Sequence, residues 1–327
     1  MKILLFSRRH ILAITFTVLT CIAIVLMIQL YPHTSSEKMV MGGTLYSQSI
    51  DEDNTPINTK EDHKSYFRPS NLPSLNNRFT NEFFDSYIQK DPSKIKLSKN
   101  LFKSPGDTII NYFSTLRDAA NPASDKFSGC GTIGQATIPY PVAYQFLSED
   151  YQSRLPYDKY LKTFLNILHT TLIKYKFVPV YDSPDDQLRY FAEIETIQGT
   201  ESGESAFIYY YAFIDLINEN GMYKIKNIDF TGEDFLCAPY HGWSHDAEAS
   251  IKARYGEWCN LIEKMYPNKQ KDYIKQISFH GKDGNDYLFL FYRLTNNTDV
   301  EIAQYIKKNG GEWQLTKLDP EKCIEKK

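Results

Sequence analysis

Cys237, His241, His245 and Cys259 have the residue types of a zinc site, with Asp246 and Glu248 beside them. Two thiolates and two imidazoles would suit tetrahedral zinc. The spacing C-x3-H-x3-H-x13-C matches no familiar finger, however, and Gly242 and Trp243 between the histidines favour a turn over one helical face. Hydrogen-bonded loop histidines and structural cysteines are the preferred reading, and no metal or other cofactor is expected. Gly129-Cys130-Gly131-Thr132-Ile133-Gly134 spells GxGxxG, but a helix stop precedes it and Gln135 to Pro141 follows. A dinucleotide fingerprint needs a strand feeding it and a helix opening within it, so the motif reads as a flexible loop. No nucleophile elbow, HExxH or P-loop lysine occurs.

The elements that would position these residues divide by period. Phe79, Phe83, Phe84, Tyr87 and Ile88 give a short helical stripe. Ser104-Pro105-Gly106-Asp107 supplies an N-cap, a first-turn proline and a capping-box acid for a helix ending at Asn121-Pro122. Tyr140 to Tyr151 and a segment opening at Pro156 predict two further helices. The period then changes to two over Leu172–Tyr181, Arg189–Gln198, Ser205–Leu216 and Met222–Phe230, with Asn220-Gly221 as a type I′ hairpin pair. These predict an antiparallel meander. Ala206 to Phe213, AFIYYYAF, is apolar on both faces, so one face should pack on helices and the other should line an enclosed space or meet a partner. Ser244 to Tyr266 predicts a helix, and strand patterns resume at Tyr273–Phe279, Tyr287–Leu294, Val300–Ile306 and Trp313–Leu318.

Before all of these, Ile11 to Tyr31 runs 21 residues without a charge. At 1.5 Å per residue that is about 31 Å, the thickness of a hydrocarbon core. Lys2, Arg8 and Arg9 precede it and the first acid is Glu37, so the positive-inside rule predicts residues 1–10 in the cytoplasm and the bulk outside. The expected location is the cell membrane, single-pass, with the bilayer itself as one partner; a cleaved signal peptide is the alternative. Residues 32–100 read as a stalk with a short helix. In an exported chain Cys130, Cys237, Cys259 and Cys323 allow three pairings. Cys130 with Cys237 and Cys259 with Cys323 is the set to try first, with reduced thiols equally compatible. Of 327 residues, 37 are Lys or Arg and 40 Asp or Glu; beyond residue 31 the balance is 34 to 40, which argues against nonspecific nucleic-acid binding.

The segments SPGDTIINYFSTLRDAAN, AYQFLSEDYQSRLPYDKYLKTFLNIL and AFIYYYAFIDLINENGMYKIKNIDF follow in an order that resembles the conical α+β domain of the nuclear transport factor two and ketosteroid isomerase-like superfamily. The chain also looks like membrane-tethered members found in Gram-positive bacteria. The resemblance implies an α+β fold: an N-terminal transmembrane helix, a conical helix-plus-antiparallel-meander domain over 101–240, and a smaller C-terminal α+β part over 241–327. It also implies a pocket between helices and sheet, where enzymes of the superfamily hold an acid or base. Tyr209, Tyr211 and Asp215 share a parity on one strand, as do Glu193 and Glu195 on another, and Tyr209, Tyr211, Asp215 and Glu193 are the pocket candidates. None matches the family's catalytic positions. The leading expectation is a tethered, non-enzymatic binding or scaffold protein of the cell envelope, engaging a protein or glycan or forming a homodimer. The alternative is a ligand binder or enzyme using the cone interior. The 24 Tyr and 20 Phe would suit surface contact, or simply fill strand cores.

Overall fold

The computed structural model describes residues 38–46, 72–122, 136–184, 186–199, 205–233 and 239–324. The chain divides into two compact units, Met1–Lys38 and Met39–Lys327. The expected membrane helix at 11–31, the glycine motif at 129–134, Cys130 and Cys237 lie outside the described residues. Among those described, no helix is long and apolar enough to cross a membrane.

The second unit is mixed α+β. Its first sheet contains the expected meander: β3 (Ile167–Val178), β4 (Gln187–Gly199), β5 (Ser205–Glu219) and β6 (Met222–Gly232). They pair antiparallel in sequence order, and Asn220 and Gly221 take φ of 54° and 79° in the β5–β6 turn. One face carries Ala192, Ile194, Tyr210, Ala212, Ile214 and Phe230 into a core shared with Ile109, Tyr112, Phe113 and Leu116. The latter belong to α2 (Pro105–Leu116), which follows α1 (Asn81–Asp85). Ser104 caps α2 by accepting from the Asp107 N–H at 3.0 Å, as the sequence predicts.

The helix expected over Tyr140–Tyr151 is instead two, α3 (Tyr140–Tyr144) and α4 (Glu149–Arg154), followed by α5 (Tyr157–Lys162). The break comes where residues 146–148 bond to β6. The Ile225 N–H donates to Phe146 O (2.9 Å), and the Ser148 N–H donates to Ile225 O (2.8 Å). Ser148 then caps α4, accepting from the Tyr151 N–H.

Residues 38–46, read from sequence as stalk, are instead part of this sheet. β1 (Lys38–Val40) and β2 (Gly43–Tyr46) extend it in the order β1-β2-β6-β5-β4-β3, with β2 parallel to β6. Their connecting turn, Met41-Gly42, is buried in the core. The Met41 N–H donates to Thr163 O, the Gly42 N–H to Thr163 Oγ1, and the Tyr112 and Tyr151 hydroxyls donate to Met41 O and Gly42 O. Glycine is needed: Gly42 has φ of 74°, and a Cβ there would lie 2.5 Å from Tyr160 Cε2. Residues 72–100 also pack on the fold. Phe84 and Ile95 are buried against Val142, and buried Asn76 bonds Leu172 N, Thr170 O and Phe113 O.

The second sheet has the order β12-β11-β10-β9-β7, with β8 also on β9. Its strands are β7 (Ile262–Met265), β8 (Lys269–Lys271), β9 (Ile274–Gly281), β10 (Asp286–Arg293), β11 (Asp299–Lys307) and β12 (Trp313–Thr316). The helix predicted over 244–266 is shorter. α6 (Ala247–Ile251) runs into a π-helical turn, Lys252–Trp258, and the chain then turns into β7. Asn260, at φ of 50°, makes the turn, and the Leu261 N–H bonds back to Tyr255 O at 2.8 Å. Ile251 and Tyr255 pack on Ile277, Phe279 and Phe289.

The opposite face of this second sheet covers the outer face of the first. Tyr292, Leu294 and Ile302 pack with Val178 and Phe191, flanked by Tyr211 and Phe213. The partner that the two-faced AFIYYYAF strand requires is therefore supplied within the chain. Gly42→Ala is expected to lower the unfolding free energy by roughly 2 kcal/mol or more, and the denaturant midpoint with it, since alanine adds both a positive-φ penalty and an overpacked contact. An unchanged denaturant midpoint would put the turn outside the core.

Candidate functional site

The interior that the resemblance offered as a pocket is occupied. The Met41-Gly42 turn sits against the fully buried tyrosines 112, 151 and 160, with Phe146 and Phe164 beside them. Burial pushes the Tyr112, Tyr151 and Tyr160 hydroxyls well above the ordinary tyrosine range, so all three stay neutral; those of Tyr112 and Tyr151 donate to the turn, and that of Tyr160 donates to Tyr112.

The four pocket candidates lie on the other face of the sheet, from which Tyr211 and Glu193 reach the C-terminal sheet. Tyr211 stacks on Phe191, ring centres 5.7 Å apart; burial raises its pKa, and a hydrogen bond with Thr231 partly offsets this. Asp215 is buried and receives a two-pronged contact from Arg189, Nε at 2.7 Å and Nη2 at 2.8 Å. Glu193 is fully buried, 3.2 Å from Lys174 Nζ, and accepts from the Thr295 N–H at 2.8 Å and hydroxyl at 2.5 Å. Tyr209 is half-buried and bonds the Glu233 N–H through its backbone carbonyl; Glu195 lies opposite it in the strand register. The structure thus brings Tyr211 and Glu193 into the sheet–sheet junction, while Asp215 is tied to Arg189 of the neighbouring strand within the first sheet. Both carboxylates are buried acceptors in ion pairs. Their environment suits holding strands and layers in register rather than exchanging protons with a substrate.

What opens to solvent is the margin of that junction. A groove of about 420 Å³ runs between Leu72 and Leu75 on one side and Tyr273 and Ile274 on the other, with Tyr175 and Lys176 of β3 along its floor. Lys174 links it to the junction, with Nζ 3.3 Å from the Tyr273 ring centre and 5.7 Å from that of Tyr292. Tyr273 and Tyr292 lie nearly parallel, centres 6.3 Å apart. Aromatic faces, aliphatic rims and a strand edge suit a peptide or another extended ligand. A second hollow, about 390 Å³, has Arg154, Lys159 and Lys162 in its lining and no acid.

Sequence reasoning missed Leu72, Leu75, Lys174 and Tyr273. The available signal was Lys174 itself, a charge amid the apolar alternation of β3. It also missed Lys224, whose ammonium packs 4.1 Å from the Phe102 ring centre and donates to Gln145 O. Burial pushes that ammonium down to about 8, against the opposing fields of Glu219 and Glu149.

The zinc set is not assembled. Cys259 is joined to Cys323, Cα atoms 5.0 Å apart, and a disulfide sulfur lacks the thiolate that zinc requires. His245 ends the 3₁₀ turn Pro239–His245 and is half-buried, and Asp246 caps the helix that follows. His241 falls in the same turn. Among the described residues no group of three or more His, Cys, Asp or Glu is placed to hold a metal. Cys259–Cys323 is one of the two bridges proposed from sequence.

No protein-family model matches this chain, and no curated protein does. Among solved structures it is similar to one described as "Ntf2 like protein involved in plasmid conjugation", at 6% identity over 54% of this chain and 92% of that one, with a TM-score of 0.19. A likeness at that score carries no argument, and the α+β description rests on the strands and helices above.

Two measurements follow from the site. Cys323→Ser opens a loop of sequence separation 64 and is expected to cost about 4 kcal/mol in the chain-entropy account. Equal stability of wild type and variant, with no mass gain on reduction, would mean free thiols. Lys224 holds its proton less tightly folded than unfolded, so its contribution to stability rises as pH climbs through about 8 toward 10.5. In paired denaturant titrations the stability of wild type relative to Lys224→Met should therefore increase across that window; parallel profiles would show that the ammonium is solvated.

Proposed function

We propose that this chain is a membrane-tethered, extracytoplasmic binding or scaffold protein of the cell envelope. The uncharged run Ile11–Tyr31 serves as its anchor, and residues from 38 onward face outward. The observation that carries the binding reading is the position of the accessible apolar surface. The cone interior is filled by the chain's own Met41-Gly42 turn, while Leu72, Leu75 and Tyr273 remain more than a third exposed around an open groove. Contiguous exposed apolar surface with a polar rim supports contact with another macromolecule. The filled interior weighs against the alternative of a small substrate held between helices and sheet.

The full chain, expressed in a bacterial host, is expected to stay in the membrane fraction through an alkaline carbonate wash. Protease added outside protoplasts should remove its folded part. Release by carbonate, or protection from protease until the cells are lysed, would overturn the tethered, outward-facing reading.

A further inference from the structure

β3 is the outermost strand of the first sheet, paired on one side only, with β4. An antiparallel edge strand turns the N–H and C=O of every second residue away from its neighbour. Along the first half of β3 these outward groups are answered. The Thr170 N–H donates to Arg117 O at 3.2 Å, and Thr170 O accepts from Asn76 Nδ2 at 2.9 Å. The Leu172 N–H donates to Asn76 Oδ1 at 2.9 Å, and Leu172 O accepts from the Leu75 N–H at 3.0 Å.

A bulge between Leu172 and Lys174 then shifts the alternation by one residue. With Lys174 opposite Glu193, Tyr175 opposite Ala192 and Phe177 opposite Tyr190, the outward positions become Tyr175 and Phe177. Among the described residues no hydrogen bond reaches the outward N–H and C=O of either. The sheet therefore ends in two outward-facing residues whose edge is open.

The side chains around this edge define what could cover it. Of twelve large apolar side chains that are 36% or more exposed among the described residues, four, Leu72, Leu75, Phe177 and Tyr273, border this stretch. Lys176, between the two outward-facing residues, is exposed and has no carboxylate partner among the described residues. A second copy of the chain fits poorly, because antiparallel pairing about Lys176 would set two exposed lysines face to face.

We propose that the edge Tyr175–Phe177 accepts an extended segment of a partner protein as an added strand. An acidic side chain of that segment lies opposite Lys176, and an apolar one enters the groove between Leu72, Leu75 and Tyr273. This rests on the binding-protein reading and names its site and the chemistry of its partner. Main-chain hydrogen bonds to Tyr175 and Phe177 would give affinity, and the groove and Lys176 would give selectivity.

The test uses the full chain in detergent micelles with two acetylated peptides of about eight residues, one alternating valine and glutamate, the other valine and lysine. Binding is followed by fluorescence anisotropy and by hydrogen exchange at the Tyr175 and Phe177 amides. The glutamate peptide should bind and slow exchange at both amides. Phe177→Pro removes an outward N–H without touching the β4 ladder, and should weaken binding by about tenfold or more with the thermal midpoint nearly kept. Lys176→Glu should reverse the preference toward the lysine peptide, and this variant keeps the test decisive if the proline variant fails to fold.

Equal binding of both peptides by wild type, absence of amide protection at millimolar peptide, or protection that rises with protein concentration alone would each overturn the proposal. The last would assign the edge to self-association. None of these outcomes depends on membrane fractionation, so failure here and failure of the tethered reading are distinguishable.

Discussion

Both faces of the β3–β6 meander are apolar, and a sheet of that kind is unstable until each face is covered. On one face Tyr210, Ala212 and Ile214 call for helices and receive them, together with the Met41-Gly42 turn. On the other, Phe191 and Tyr211 call for a second layer and receive the C-terminal sheet, with the Phe191 and Tyr292 ring centres 4.4 Å apart. Burying a residue such as Phe191 is worth roughly 2 to 3 kcal/mol, and it is fully buried. The Lys174–Glu193 pair, set inside that contact, adds less net stability than its Coulomb attraction suggests, because both ions are desolvated. Its effect is positional: once Glu193 also accepts from Thr295, sliding one sheet over the other would strand a buried carboxylate.

Much of this was legible from local pattern. The alternation of Arg189–Gln198 and Ser205–Leu216, the Asn220-Gly221 turn and the Ser104-Pro105 helix start are short-range signals, and each corresponds to an element of the fold. What was not legible depends on distant partners. Lys38–Tyr46 has no period of its own; it is ordered by Thr163, 121 residues from Gly42, and by β6. The helix written into Ser244–Tyr266 by its apolar spacing is ended by Asn260 in a left-handed conformation and by the pairing of Ile262–Met265 with β9, neither of which leaves a helical-period signature.

The candidate residues show the same division. Parity placed Tyr209, Tyr211 and Asp215 on one face, and they share one, but parity does not say which face packs on the helices. Strand geometry is equally silent on Glu193 until the second sheet is in position. Lys174 and Tyr273, about a hundred residues apart in sequence, meet only because the two sheets pack. Charge in a strand interior proved a better pointer to the junction than the resemblance did, since Lys174 and Glu193 pair there and both reach the C-terminal sheet.

The parallel pairing of β2 with β6 also bears on the order of synthesis. Thr44 lies beside Asp229, so one of the first folded segments to be made must wait about 185 residues for its neighbour. At about 5 to 20 residues per second that is on the order of 10 to 40 seconds. Throughout that interval the β2 backbone has no strand to pair with. The sheet therefore closes last at the end made first, and the emerging chain presents an unpaired, partly apolar segment to whatever factors attend it during synthesis.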